Sequence, residues 1–124
     1  MIRTGEQYKD SIRGNRDIYM NGERVKDVTT HPMFKPIVDV RARVYDMQHE
    51  VETKQVMTVE QNGEINAVGN SLPYTEGDWW AKRHATDLIM EDVGGVVTRV
   101  GDETVGEMWS LFDGQDVLNE VDPQ

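Results

Sequence analysis

Arg99 and Glu103 are the two residues whose types and spacing could bind a polar substrate. The guanidinium of Arg99 offers planar donors to an anionic or carbonyl oxygen, a geometry that lysine does not copy. Glu103 follows four residues later, so it lies one turn along the same face if a helix begins near Asp102. By residue type alone, an arginine that lies among acids where a loop meets a helix is more typical of a structural ion pair than of a substrate-binding site.

The three histidines, His31, His49 and His84, give little support for a metal site. None lies four residues from another or forms a His-x-x-Glu-His arrangement. His31 precedes Pro32, and we expect its side chain to satisfy free amides at a helix start. The sequence therefore predicts no metal site.

Two further features could bind ligands, but each has a structural interpretation that we favour. Trp79 and Trp80 could form a platform for a flat ligand, although adjacent tryptophans at a helix start are more often a core or interface anchor. We expect one of them to face a partner. Gly94-Gly95 ends a helix instead of opening one after a strand, so it is not a dinucleotide fingerprint.

The charged residues between positions 39 and 54 alternate in sign along a predicted helix. We interpret them as a solvated face with ion pairs at spacings of three and four rather than as a catalytic carboxylate pair. The acids are Asp39, Asp46, Glu50 and Glu52, and the bases are Arg41, Arg43 and Lys54.

Composition narrows the possible classes of function. A chain of 124 residues with a net charge of −10 is the size of one small domain and has no basic patch for nucleic acid or anionic membrane. Its hydrophobic content of 37% and mean hydropathy of −0.64 are low. Its apolar residues nevertheless recur at regular spacings, which argues against disorder. We therefore expect additional polypeptide to cover the apolar faces of its helices. The chain has no cysteine, which removes thiolate catalysis and cysteine-ligated clusters.

The first half of the chain predicts two helices and a hairpin. Thr4 to Gln7 is a capping box, and Asn21-Gly22 is typical of a two-residue turn between short strands. A helix is then expected from Lys35 to Glu50. Its predicted apolar stripe consists of Ile37, Val40, Val44, Met47 and Val51.

The second half predicts a second hairpin and two helices that would position Arg99. Asn62-Gly63 lies between β-prone runs at residues 56–60 and 64–67. Asp78 is expected to cap a helix that ends near Val93, and a shorter helix begins at residue 102 or 104. The buried stripe of the longer helix is predicted to consist of Ala81, Ala85, Leu88, Ile89 and Val93.

This order of elements resembles a known family. A capped helix, a hairpin with Gly-Glu-Arg-Val, then Asp-Val-Thr-Thr-His-Pro and a helix with Tyr-Asp are similar to the N-terminal region of the 4-hydroxyphenylacetate 3-hydroxylase family. The resemblance extends from residue 4 to about residue 108. It implies a mainly α fold with two short β-hairpins, like the N-terminal helical domain of an acyl-CoA-dehydrogenase-like flavin monooxygenase.

The resemblance also gives Arg99 and Glu103 a role. Residues 95–103 are similar to the family segment Gly-aromatic-Met-Gly-Arg-x-Pro-Asp-Tyr, whose arginine and tyrosine line the phenol pocket. The matching positions are Gly95, Arg99 and Asp102. The departures include Thr98 for glycine, Gly101 for proline and Glu103 for tyrosine. The resemblance implies a catalytic, substrate-binding Arg99. Because Glu103 replaces the family's tyrosine, we expect it to bind the substrate, to disfavour a phenolate and to favour a non-phenolic substrate with an N–H or cationic group.

The family enzymes are much longer than this chain. We therefore expect residues 1–124 to be a single N-terminal-type domain, either a fragment or one subunit of a split two-component monooxygenase. The resemblance implies an aromatic or heteroaromatic substrate, O₂, and reduced FAD from a separate flavin reductase. A larger second chain would carry the central β and C-terminal helical domains in a cytoplasmic oligomer.

Two alternatives remain open. The chain could be a non-catalytic assembly or regulatory subunit of such an enzyme. It could also belong to an FAD-dependent dehydratase, whose iron–sulfur ligands would then lie on other chains because this sequence has no cysteine.

Overall fold

The structure is a computed structural model. It describes residues 2–14, 16–95 and 102–121, and within the last range residues 102–105 and 109 are described by their backbone alone. It is mainly helical, with two separate antiparallel hairpins, which confirms the predicted fold class. The helices are α1 (Gly5–Ile12), α2 (Lys35–Asp46), α3 (Lys54–Met57), α4 (Glu76–Asp92), α5 (Asp102–Asp113) and α6 (Gln115–Val121). The strands are β1 (Ile18–Met20), β2 (Glu23–Val25), β3 (Thr58–Gln61) and β4 (Glu64–Ala67), followed by a 3₁₀ turn at Val68–Asn70.

The helix cap at Thr4 and the two Asn-Gly turns form as predicted. Thr4 and Gln7 form the reciprocal capping box of α1. Asn21 and Gly22 both have positive φ, 52° and 84°, as do Asn62 and Gly63 at 58° and 76°, so each hairpin closes through a primed turn. The registers follow from these turns, with Met20 opposite Glu23 and Gln61 opposite Glu64.

Helix α2 is shorter than the sequence predicts, since it ends at Asp46 rather than Glu50. The amides of Gln48 and His49 bond carbonyls three residues back, so the chain tightens into turns. The predicted stripe is therefore partly wrong. Ile37 is 39% and Val51 86% exposed, whereas Val38 and Ala42 are buried with Val44 and Met47.

The second predicted hairpin and the next helix also begin at other residues than expected. Val56 and Met57 belong to α3 rather than to β3, and Met57 is buried. The N-cap of α4 is Thr75. Asp78 is the third residue of the helix and forms the capping box with Thr75. Helix α6 has no counterpart in the sequence prediction.

The hydrophobic core lies between α2, α3 and α4. Its buried members are Val44, Met47, Met57, Val68, Ala85 and Ile89. Helix α1 packs against α2, where the rings of Tyr8 and Tyr45 stack with centroids 5.0 Å apart. The stripe of α4 departs from prediction at two adjacent positions, because Ala81 is exposed and Lys82 is buried.

Candidate functional site

The junction between α4 and α5 contains the predicted site residues. Helix α4 ends as expected at two glycines, Gly94 and Gly95, with φ of 68° and 78°. The Gly95 amide donates to the Met90 carbonyl at 2.8 Å, which closes the last turn. Arg99 lies outside the described residues. Glu103 falls in the first turn of α5, where only the backbone is described, so the pairing of these two residues remains a prediction.

An open cleft of about 770 Å³ lies beside α5. One wall is the loop before α4 together with its first turns, and the other is α5 itself. Three aromatic residues line it, Tyr74, Trp79 and Phe112, which are 73%, 60% and 69% exposed. The remaining lining includes Lys82 and, on α5, Glu107. Glu107 lies one turn beyond Glu103, so the cleft adjoins the predicted substrate segment.

Both tryptophans are more than half exposed, and the expectation that one of them faces a partner stays a prediction. Trp79 lines the cleft, while Trp80 is 56% exposed and its indole N–H donates to Glu76 at 3.3 Å. Neither ring is in the buried core. Tyr74 and Phe112 are cleft residues that the sequence analysis missed, and the only local signal for Phe112 is its place on the amphipathic α5.

The charged residues of α2 form tertiary ion pairs rather than a catalytic pair. Asp39 bonds Lys9 of α1 at 2.8 Å and also pairs with Lys35. These hydrogen bonds, from Lys35 first and Lys9 second, lower the pKa of Asp39. Arg43 joins Glu50 and Asp92. Asp39, Arg43 and Glu50 therefore form ion pairs as predicted, although most of their partners lie outside the expected helix turns.

The three histidines are not brought together. His31 accepts from the Met33 amide at 3.3 Å, as expected of a residue at a helix entry, while His49 contacts the Arg3 carbonyl at 3.1 Å. His84 lies against Trp80. Within the described parts of the chain, no group of three potential ligands could hold a metal ion, and no helix is both long and apolar enough to cross a bilayer.

The N-terminus of α4 does not offer a phosphate site for FAD. The N-terminus of α4, where a pyrophosphate could bind amides, is already filled by the Thr75 hydroxyl and the Asp78 carboxylate. Hydrogen bonds from Thr75 hold the pKa of Asp78 below its usual value, so a negative charge stands where a phosphate would be. A flavin phosphate would therefore find no free amides at this helix end.

Comparison with known proteins decides the family. The sequence model described as "4-hydroxyphenylacetate 3-hydroxylase N terminal" matches residues 4–124. The chain belongs to this family. Among curated relatives, the oxygenase component of 4-hydroxyphenylacetate 3-monooxygenase from Thermus thermophilus is 32% identical over 103 residues, which span 82% of this chain and 21% of that protein.

Solved structures agree with this family assignment. The oxygenase component of 4-hydroxyphenylacetate 3-monooxygenase, in complex with FAD and 4-hydroxyphenylacetate, matches 73% of this chain and 19% of that chain, with 32% identity and a TM-score of 0.67. A 4-hydroxybutyryl-CoA dehydratase from N. maritimus matches 100% of this chain and 25% of its own, with a TM-score of 0.82 at 20% identity, which shows the fold alone. In these three matches the chain spans about a fifth to a quarter of the other protein.

Two buried polar residues escape the sequence analysis. Gln48 and Lys82 are 5% and 7% exposed. Lys82 precedes Ala85 by three residues and Ile89 by seven, so its phase with the buried stripe of α4 is a signal that could have revealed it. Gln48 follows a shortened helix and carries no such signal.

Proposed function

We propose that this chain forms the N-terminal domain of the oxygenase component of a two-component flavin-dependent monooxygenase. The enzyme would hydroxylate an aromatic or heteroaromatic substrate with reduced FAD and O₂. The observation that carries this proposal is the family match over residues 4–124. The same fold in an oxygenase component that binds FAD and 4-hydroxyphenylacetate supports it.

Residues 1–124 would act as a single domain of a larger assembly. The central β and C-terminal helical domains would lie on further polypeptide, either in the same chain or in a second one. The occupied N-terminus of α4 supports this division, because the flavin phosphates then need another binding position. The assembly would be a cytoplasmic oligomer that receives reduced FAD from a separate reductase.

Arg99 and Glu103 would bind the substrate beside the aromatic cleft. The guanidinium of Arg99 would donate to an oxygen of the substrate and hold the ring in a fixed orientation. Glu103 would repel a phenolate and accept a hydrogen bond from an N–H or cationic group. The exposed rings of Tyr74 and Trp79 give the adjoining cleft walls suited to a flat, apolar ring.

Isotope labelling of the purified assembly tests this function. A flavin reductase, NADH and FAD would supply the electrons, ¹⁸O₂ the oxygen, and phenols and nitrogen heterocycles the candidate substrates. We expect one labelled oxygen atom per product molecule by mass spectrometry, with the second atom released as water. Turnover with NADH and FAD but without the reductase would contradict the two-component assignment.

A second candidate is a non-catalytic assembly subunit, favoured by the occupied N-terminus of α4, which leaves no phosphate site at that helix end. Native mass spectrometry separates the two candidates. A larger partner that retains full labelling activity after removal of this chain would establish the assembly role, whereas loss of activity that returns on adding the chain back would establish the catalytic one.

A further inference from the structure

One wall of the aromatic cleft is formed by the cleft loop, residues 72–74, which leads from the 3₁₀ turn towards α4. All three of its residues, Leu72, Pro73 and Tyr74, line the cleft. None of them belongs to a helix or a strand, so the position of the cleft loop depends on what its backbone amides and carbonyls bind.

Gln61, the last residue of β3, binds the backbone of Leu72 through both ends of its carboxamide. Its nitrogen donates to the Leu72 carbonyl at 3.1 Å, and its oxygen accepts from the Leu72 amide at 3.1 Å. An opposite residue in an antiparallel sheet makes the same pair of bonds with its backbone. The side chain of Gln61 therefore attaches the cleft loop to the second hairpin as a neighbouring strand would.

The other end of the cleft loop is held by α4. The amide of Tyr74 donates to the carboxylate of Asp78 at 2.9 Å. Between the two bound residues, the ring of Pro73 restricts the backbone φ angle. The cleft loop is thus fixed on both sides of its proline, and this wall of the cleft keeps its distance from α5.

Gln61 is the residue whose substitution would release the cleft loop alone. Within the described chain its side chain bonds only Leu72, and it does not line the cleft. Asp78 also forms the capping box of α4, so its substitution would change the start of that helix as well. Lys82 lines the cleft and donates to two carbonyls of the 3₁₀ turn, so its substitution would alter the lining itself.

We propose that Gln61 is a positioning residue for the binding of a ring in the aromatic cleft. This inference rests on the proposed function, in which the cleft takes a flat ring beside Trp79. Gln61 does not touch the ring. It holds the cleft loop at a fixed distance from α5, so release of the loop weakens binding while the groups that bind and react stay unchanged.

Gln61→Met, assayed in the full assembly with its reductase, tests this role. The variant removes both bonds at similar volume, and Gln55→Met makes the same change at an exposed position of α3 as the matched control. We expect Gln61→Met to raise the KM of the ring substrate about tenfold and to change kcat by less than about twofold, because two neutral hydrogen bonds that act on binding are lost. Gln55→Met should keep both values.

The affinity of the assembly for FAD, measured by calorimetry, separates positioning from a general structural effect. We expect Gln61→Met to bind FAD as the original chain does. A variant that loses FAD affinity and kcat together with its affinity for the ring would overturn the positioning role, because Gln61 would then support the fold as a whole.

Gln61→Glu gives a second measure that does not require Gln61→Met to fold. Its carboxylate still accepts from the Leu72 amide, but in the ionised form it has no proton to donate to the Leu72 carbonyl. We expect KM to rise in this variant also, since an oxygen now faces an oxygen. Gln55→Glu adds the same charge on α3 and should leave KM unchanged.

Calorimetry with phenol and indole, without reductase, measures ring binding apart from turnover. We expect the original chain to bind at least one probe and Gln61→Met to bind it about tenfold more weakly. Binding of neither probe by the original chain would overturn the positioning role. Labelled product from the original, with KM unchanged in both Gln61 variants, would overturn it while the proposed function stands. Ring binding that Gln61→Met weakens, without labelled product from the original, would overturn the proposed function alone.

Discussion

Arg43 of α2 holds the carboxylate of Asp92, the last residue of α4, through two parallel hydrogen bonds. Its Nε and Nη2 atoms each donate to one carboxylate oxygen at 2.8 Å. The same guanidinium pairs with Glu50, including a bond from Nη2 at 3.0 Å. These contacts raise the pKa of Arg43, with Asp92 as the main cause and Glu50 second. The pair fixes the end of α4 directly before the glycines that lead to Arg99.

The Arg43→Met variant tests how much this pair contributes to stability. Because Arg43 is about a third exposed, we expect a loss of about 1 kcal/mol in the free energy of unfolding rather than the larger value of a buried pair. Chemical denaturation of the assembly measures the change. The control is Arg83→Met, which removes an exposed pair with Asp87 on one helix. Equal losses of stability in the two variants would show that the Arg43–Asp92 pair contributes no more than an exposed ion pair on one helix.

The pH dependence of the Arg43 effect provides a separate prediction. Arg43 lowers the pKa of Asp92 below its ordinary value of 3.8, so folding favours the ionised carboxylate. The stabilisation is complete above pH 3.8 and disappears as the pH falls through the lower folded-state pKa. We expect the original chain and Arg43→Met to differ at pH 6 and to converge towards pH 3. A difference that stays constant over this range would exclude Asp92 as the partner.

The sequence predicts features that depend on near neighbours. The capping box at Thr4 and the Asn-Gly turns need only a few residues, and all of them form as expected. The Arg43–Asp92 pair joins residues 49 apart in the chain, so no local pattern contains it. The candidate site divides in the same way, because Arg99 and Glu103 come from a family pattern, while the cleft beside them forms only when α5 lies next to the start of α4.

Gly5 is required by the close approach of α1 to α2. Its amide donates to the Asp46 carboxylate at 2.7 Å, and an added Cβ would lie 2.6 Å from the Ala42 carbonyl oxygen. We expect Gly5→Ala to destabilise the fold by about 1–3 kcal/mol, since a backbone atom must move. Thermal melting should show the loss.

The control for this substitution is Gly77→Ala in the first turn of α4. Its Cβ would meet only the Thr75 hydroxyl at an ordinary 3.5 Å. We expect this change to be neutral or to stabilise by about 0.4–1 kcal/mol. A similar loss of stability in both variants would show that the first turn of either helix tolerates a side chain poorly. The close approach of Gly5 to Ala42 would then not be the cause.

Helices α5 and α6 expose an apolar surface that we expect to prevent stable folding of the isolated chain as a monomer. Its members, all at least half exposed, are Met108, Leu111, Phe112, Val117, Leu118 and Val121. Burial of such a surface links folding to association, so the melting temperature should rise with protein concentration. Sedimentation and melting of the isolated chain at several concentrations measure this. A cooperative melt of a monomer, independent of concentration, would exclude the prediction.

Arg99→Lys and Glu103→Tyr test the proposed substrate site in the full assembly. Lysine keeps the charge of Arg99 but loses the planar pair of donors, so we expect turnover to fall about tenfold or more, as for a bound group that is misplaced. Glu103→Tyr replaces the repelling carboxylate with the residue type of the family pattern. We expect it to shift the ratio of kcat/KM towards phenols and away from nitrogen heterocycles, because a phenolate is no longer opposed by a like charge.

Two exposed positions on α4 provide the matched controls, Arg83→Lys and Glu91→Tyr, which repeat the same chemical changes away from the cleft. These controls should leave both turnover and substrate preference unchanged. Steady-state assays with phenols and heterocycles, run with the same reductase and oxygen supply, compare all four variants. If Arg99→Lys and Glu103→Tyr behave like their controls, the substrate assignment is wrong, and Arg99 would be a structural residue at the junction of α4 and α5.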